Sequence, residues 1–232
     1  MQSDGREVPA ESLKDRGCRE IAAIYEALAN GAIDDQSRHD AMAALLRPAY
    51  LAATTPWEQS GKSGDEAGWV GARRFVVDAL DRDGTFLDCG CANGYLIECV
   101  RGWAADKGLH VEPYGVDIVP EFVELARRRL PQWADRIWVG NAASWLPPLR
   151  FDAVRIGLEY VPEHRRAELV AHLLRKVVAA GGRLIVGPFT EEVEQRTTED
   201  DLAGWGHVIA GRSELPHRDP RVVRRLVWVD VP

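Results

Sequence analysis

Long apolar runs are missing from this 232-residue sequence. No stretch approaches the roughly 18 residues that a membrane-spanning helix needs, and mean hydropathy is −0.25. The N-terminus, MQSDGREVPAESLKDRG, carries no apolar core of the kind that marks a secretory signal. A cytoplasmic protein without a membrane partner is the expectation. Positive charge is also short: 29 Lys and Arg against 36 Asp and Glu leave −7. That is the wrong sign for gripping phosphate backbones, so nucleic acid is not the expected partner. Lysine is nearly absent, and the dominance of arginine reads as coding bias. Cysteine is sparse as well, at Cys18, Cys89, Cys91 and Cys99. Cys89-x-Cys91 lacks the two-residue gap of a zinc knuckle and no second pair follows, which argues against a metal site. A reducing cytosol excludes a disulfide, leaving these residues as small side chains in a strand and its following turn. Repeats and low-complexity tracts are absent too.

Hydrophobic residues make up 46% and charged residues 28%, the balance of a folded globular chain. Eight tryptophans are many. Most read as core or pocket wall, with one or two available to line a cavity for a flat ligand.

The chain changes texture near residue 84. Before it, Ile21, Ile24, Tyr25 and Leu28, then Met42, Leu45 and Leu46, recur at helical spacing. The stretch TTPWEQSGKSGDEAG (54–68) reads as an ordered or closing loop, and a helix is predicted over 65–80. After residue 84, short apolar runs alternate with amphipathic stretches. Strands are predicted at 85–89, 111–118, 136–140, 151–157 and 183–189. Helices are predicted at 95–106, 120–130 and 163–180, the last closed by Gly181-Gly182. HVIAGR (207–212) and RRLVWVD (224–230) pair as a terminal hairpin. Such alternation implies an α/β, Rossmann-like three-layer sandwich: a mostly parallel seven-stranded sheet with an antiparallel C-terminal hairpin. Residues 1–64 form an N-terminal helical cap and lid loop, and 65–232 the main domain. Ligands of such sheets sit beyond the carboxyl ends of the strands, so the residues ending each strand matter most.

The first strand ends in Asp88-Cys89-Gly90-Cys91-Ala92-Asn93-Gly94. Its small residues let the backbone turn tightly and approach a ligand. The dinucleotide fingerprint G-x-G-x-x-G is broken by Ala92 and Tyr95, which disfavours an NAD-linked dehydrogenase. Asp88 beside an exposed helix start suggests a ligand with a cationic group. Asp117 ends the second strand, where a carboxylate accepts both hydroxyls of a ribose or caps the next helix. Asn141, ending the third, meets an adenine edge or holds a turn.

Jointly, these strand ends resemble the class I S-adenosylmethionine (SAM)-dependent methyltransferases. FLDCGCANG resembles their first motif, with Ala92 replacing the middle glycine. GVDIVPEFVELARRRLP is similar to their second-strand acid and helix. VGNAASWLPPLRFDAVRIGLEYVP and VVAAGGRLIVG look like the stretches around the third to fifth strands. The resemblance covers about residues 80–190 and, more loosely, the hairpin. It implies that Asp88, Gly90, Cys91, Ala92 and Gly94 hold the methionine part of SAM, with S-adenosylhomocysteine (SAH) as product. Asp117 would accept the ribose hydroxyls and Ile118 pack on adenine. Asn141, where Asp is more usual, and Ala142 would meet the adenine edge. Gly157 and Leu158 would border the transferred methyl group, and Trp57 and Gln59 would gate the site.

Transfer of a methyl from a sulfonium asks for alignment and desolvation, plus a base where the nucleophile carries a proton. Candidate bases are Glu159, His164 and His207. The proline-aromatic tetrad of amino methyltransferases and the Pro-Cys nucleophile of cytosine C5 enzymes are absent. No acid stands where the metal-dependent members carry one, so magnesium is not expected. A small organic acceptor is the leading reading. An RNA-modifying enzyme is the alternative, with Arg73-Arg74, Arg127-Arg128-Arg129 and Arg165-Arg166 as its basic surface. A non-catalytic SAM-binding module is the third.

Overall fold

The computed structural model describes residues 13–61, 64–193, 195–217 and 219–232, with side chains from residue 19 onward. The Cys18 side chain therefore lies outside the described residues. The chain divides into two compact units, Met1–Pro48 and Ala49–Pro232. The first holds α1 (Leu13–Ala29) and most of α2 (Asp35–Ala52). There the buried Arg38 donates to the Tyr25 hydroxyl at 2.8 Å and lies over its ring. The second unit begins at Ala49 and includes the loop 54–64, which the sequence reading groups with the N-terminal cap.

The second unit is built on a seven-stranded sheet in the order β3-β2-β1-β4-β5-β7-β6. Its strands are β1 (Gly84–Cys89), β2 (Val111–Asp117), β3 (Ile137–Val139), β4 (Phe151–Ile156), β5 (Val178–Glu192), β6 (Gly211–Pro216) and β7 (Val222–Asp230). The first five run parallel, while β7 is antiparallel to both β5 and β6. This is the expected fold class. Strand residues alternate between two cores. Phe86 packs with α3 (Glu66–Gly71), α4 (Tyr95–Asp106) and α5 (Pro120–Arg129) through Trp69, Ile97, Val100 and Val123. Leu87 packs with α6 (Arg166–Lys176) and α7 (Thr198–Gly204) through Leu169, Leu173 and Leu202. Apolar runs buried on both faces are what a parallel sheet requires.

Several predicted boundaries move, each for a local reason. The helix expected over 65–80 stops at Gly71, and a 3-10 segment, Arg74–Ala79, follows. Gly68 and Gly71 weaken the α-helix, and Arg73 leaves it with φ −130°. The helix expected over 163–180 is a 3-10 turn, Glu163–Arg165, followed by α6. Gly181-Gly182 does not cap that helix. It lies within β5, where the register against β4 shifts between Phe151 and Ala153 and Gly181 takes φ +71°, a glycine bulge. Strand β6 starts at Gly211 rather than 207, because 207–210 forms no ladder and Gly211 is the first residue paired, with Trp228.

Candidate functional site

Chain order reverses between β1 and β4, so their carboxyl ends open the crevice where ligands of such sheets bind. The turn after β1 is held from below: Gly90 and Cys91 donate to the Val116 carbonyl at 2.8 and 3.1 Å. Gly90, Ala92 and Gly94 all take positive φ, at +78°, +46° and +74°. Ala92 is the non-glycine among them, and its amide is fixed by a carboxylate, Oδ2 of Asp117 at 2.9 Å. The other Asp117 oxygen accepts from Val119 N at 2.9 Å. Asp117 thus ties the first turn to the start of α5. Two amides occupy two of the roughly four acceptor positions of a carboxylate, leaving capacity for two more donors. Burial raises its pKa to about 6, against the pull of the Val119 and Ala92 amides. Beside it Ile118 stands 38% exposed at the strand tip, an uncovered apolar surface.

Asp88 sits deeper, 1% exposed, directly opposite Arg155 in the β1–β4 register. Arg155 Nη1 donates to Asp88 Oδ1 and to the Tyr160 hydroxyl, both at 3.1 Å, and its Nε donates to Gly187 O at 2.6 Å. Burial pushes the Asp88 carboxyl up while the Arg155 charge opposes it. The Tyr160 ring then lies on Gly90: a Cβ added there would stand 2.5 Å from a ring carbon. The absence of a side chain at Gly90 is therefore demanded by Tyr160.

A second layer comes from the loop after α2. Asn93, fully buried, donates to Pro56 O at 2.8 Å and to Gln59 Oε1 at 3.4 Å, while its oxygen accepts from Tyr95 N. Gln59 Nε2 donates to Ala53 O, so both ends of its amide are engaged. The Trp57 indole donates to Gly64 O, and Trp69 to Ser60 Oγ at 2.6 Å. Tyr50 stacks on Phe122, with ring centroids 5.0 Å apart, and its hydroxyl reaches Gly61. Removing the Asn93 amide with Asn93→Ala leaves the loop unlatched. We expect faster proteolytic cleavage within 54–61, read by timed digestion and mass spectrometry. Cleavage at the wild-type rate would contradict the latch.

The remaining sequence-predicted residues fall as follows. Asn141 Oδ1 accepts from Ala143 N at 3.0 Å, closing an Asx turn that leaves one lone pair. Ala142 packs against the α6-side core, and Gly157 and Leu158 are buried at the end of β4. Cys91 is buried with Sγ near Gly115, and burial pushes its thiol and that of Cys89 far above the usual range. Glu159 is exposed, with its carboxylate folded toward Gly157. His164 is exposed in the 3-10 turn Glu163–Arg165. His207 is half-buried after α7, and burial lowers its pKa below the usual histidine value. Of the three candidate bases, Glu159 stands beside the crevice, where its charge acts on Arg155, Tyr160 and Tyr50. Among the described residues no three His, Cys, Asp or Glu side chains are arranged to hold a metal, and no helix is long and apolar enough to cross a membrane. The arginine pairs proposed as a basic surface are largely neutralised: Arg74 by Asp106, Arg127 by Glu124, Arg129 by Glu98 and Arg165 by Glu168.

Asn93, Arg155, Tyr160 and Tyr50 are the site residues that sequence reasoning missed. Arg155 alone left a signal: a charge inside an apolar strand needs a buried partner.

No protein-family model matches the chain, and no curated protein matches it in sequence. Solved structures match in shape. Magnesium protoporphyrin IX methyltransferase (ChlM) from Synechocystis PCC 6803, crystallised with bound SAM, matches with a TM-score of 0.55 at 18% identity, over 86% of this chain and 98% of that one. A SAM-dependent methyltransferase from Aquifex aeolicus gives 0.52 at 14%, over 77% and 100%. The [4+2]-cyclase SpnF gives 0.57 at 15%, over 85% and 94%. The chain has the class I methyltransferase fold. A cyclase on the same scaffold means that function has to be argued from the residues.

Proposed function

We propose that the chain is a SAM-dependent methyltransferase acting on a small organic acceptor. The observation that carries this reading is Asp117: a carboxylate at the tip of β2, at the reversal of strand order, with acceptor capacity for two hydroxyls and exposed Ile118 beside it. These residues fit an adenosine, with the ribose on Asp117, adenine against Ile118, and Asn141 and Ala142 at its edge. The turn Gly90–Gly94, with the Tyr160 ring against Gly90, would take the methionine part. Bound there, SAM supplies a methyl carbon already activated by its sulfonium.

The chain's own part is alignment and exclusion of water. Gly157 and Leu158 wall the transfer point, and the loop 54–61, with Trp57 and Gln59, covers the turn. Glu159 is the base for an acceptor that carries a proton, with His164 and His207 as the other candidates. The neutralised arginines favour a small acceptor over RNA.

Calorimetric titration with SAM, SAH and, as control, NAD tests the class. We expect micromolar binding of both sulfur compounds and none of NAD. Binding of neither overturns the reading. Labelled methyl appearing only in RNA or protein would replace the small-acceptor assignment.

A further inference from the structure

The run Arg127-Arg128-Arg129, read in the sequence as part of a basic surface, is turned inward at both ends. Arg127 donates through Nε and Nη2 to Ile137 O at 3.0 and 2.7 Å, which ties α5 to β3. Arg128 is exposed. Arg129, the last residue of α5, is half-buried and reaches back to the turn after β1. Its Nε donates to Asn93 O at 3.0 Å, and its guanidinium lies 5.2 Å from the centroid of the Tyr95 ring. Nη1 pairs with Glu98 at 2.7 Å, while Nη2 is buried with no hydrogen-bond partner among the described residues. A buried N–H without a partner is unfavourable, and the face of the Tyr95 ring is what offsets it here.

Both supports of the loop 54–61 lead to this one guanidinium. On the first path Arg129 holds the Asn93 carbonyl, and the Asn93 side-chain amide holds Pro56 O at 2.8 Å. On the second the guanidinium lies over Tyr95, whose ring centroid is 4.4 Å from that of Trp69, and the Trp69 indole donates to Ser60 Oγ at 2.6 Å. A planar guanidinium meets a carbonyl with its edge and a ring with its face at once, which an ammonium cannot do. Glu98 is 43% exposed, so its ion pair is the weakest of these contacts.

We propose that Arg129 is a positioning residue that holds the loop 54–61 over the turn Gly90–Gly94. It acts through the Asn93 carbonyl and the Tyr95 ring rather than through Glu98. Its hold on the loop stands on these contacts alone, whereas its effect on binding rests on the SAM reading above.

Timed digestion with a protease of broad specificity, read by mass spectrometry, follows cleavage within 54–61. Cleavage within 207–210, which forms no ladder, is the internal control. In Arg129→Met, cleavage of 54–61 should rise roughly 10- to 100-fold, as for a lost charge-assisted bond to a buried carbonyl, with 207–210 within about twofold of the wild type. Arg129→Lys keeps the charge and one donor and should fall between the two. Glu98→Gln should stay within about twofold of the wild type. Adding Asn93→Ala to Arg129→Met should change little, because the two side chains act in series on Pro56. SAH affinity, measured by calorimetry, should fall in the same order.

Equal acceleration at 54–61 and 207–210 in Arg129→Met would make Arg129 an ordinary stabilising residue and overturns the proposal. So does a Glu98→Gln variant as damaged as Arg129→Met, or full multiplication of the Arg129→Met and Asn93→Ala effects. If Arg129→Met does not fold, Arg129→Lys decides: loop cleavage at the wild-type rate overturns the proposal. If the loop responds in this order but the wild type binds no SAH, the cofactor reading falls and the positioning role stands.

Discussion

Arg155→Met should cost about 3–5 kcal/mol of folding stability, the usual result of stripping one partner from a buried ion pair. Arg155 joins β1 through Asp88, β5 through Gly187 and the segment after β4 through Tyr160, so its removal orphans a carboxylate 1% exposed to water. Denaturant unfolding at pH 7 measures the loss. The sign of its pH dependence is fixed. An unpaired buried Asp88 has a folded-state pKa above its unfolded one, so the penalty is full at neutral pH and shrinks as pH falls and the group protonates. Adding Asp88→Asn to Arg155→Met should recover a large part of the loss, since no charge is left buried. A loss under about 1 kcal/mol at pH 7 would mean that the pair contributes no more than a surface bridge.

Asp117→Ala should weaken SAH binding roughly 10- to 100-fold, as expected for lost hydrogen bonds to a charged acceptor. The wild type adds a pH signature. With Asp117 raised to about 6 by burial, protonation competes with acceptance of ribose hydroxyls. Affinity should be constant above about pH 7 and fall as pH drops through 6, because only the ionised form offers its full acceptor set. Neither charged group of the SAH tail titrates between pH 5 and 7, so the dependence belongs to the protein. Calorimetry at pH 5, 6 and 7 should show it in the wild type and a flat profile in Asp117→Ala. A flat wild-type profile would remove Asp117 from the nucleoside contacts.

The sheet was readable because its strands are apolar runs of the right length between amphipathic helices, and period and length are local properties. Asp117 and Ile118 were readable for the same reason, since the end of a strand is marked in the chain. Arg73 reads as one member of a basic pair on a helix face until the chain breaks there. Only the fold sets it against Trp69. Asn93 looked like loop filler because its partners, Pro56 and Gln59, lie 37 and 34 positions away in sequence. Gly181-Gly182 carried an ambiguous signal. The same two glycines end a helix or bulge a strand, and the pull of Val177 and Val178 toward the sheet decided it.

Tyr160 and Gly90 share one volume. A ring can lie where it does only because the residue beneath has no side chain, and that residue is held to glycine both by the ring and by its own φ of +78°. The two positions are therefore bound in inheritance. A lineage that shrinks residue 160 relaxes the steric demand on residue 90, and one that enlarges residue 90 first must pass through a misfit. Aligned relatives that keep a ring at position 160 should keep glycine at position 90, 70 residues apart in sequence and in contact in space.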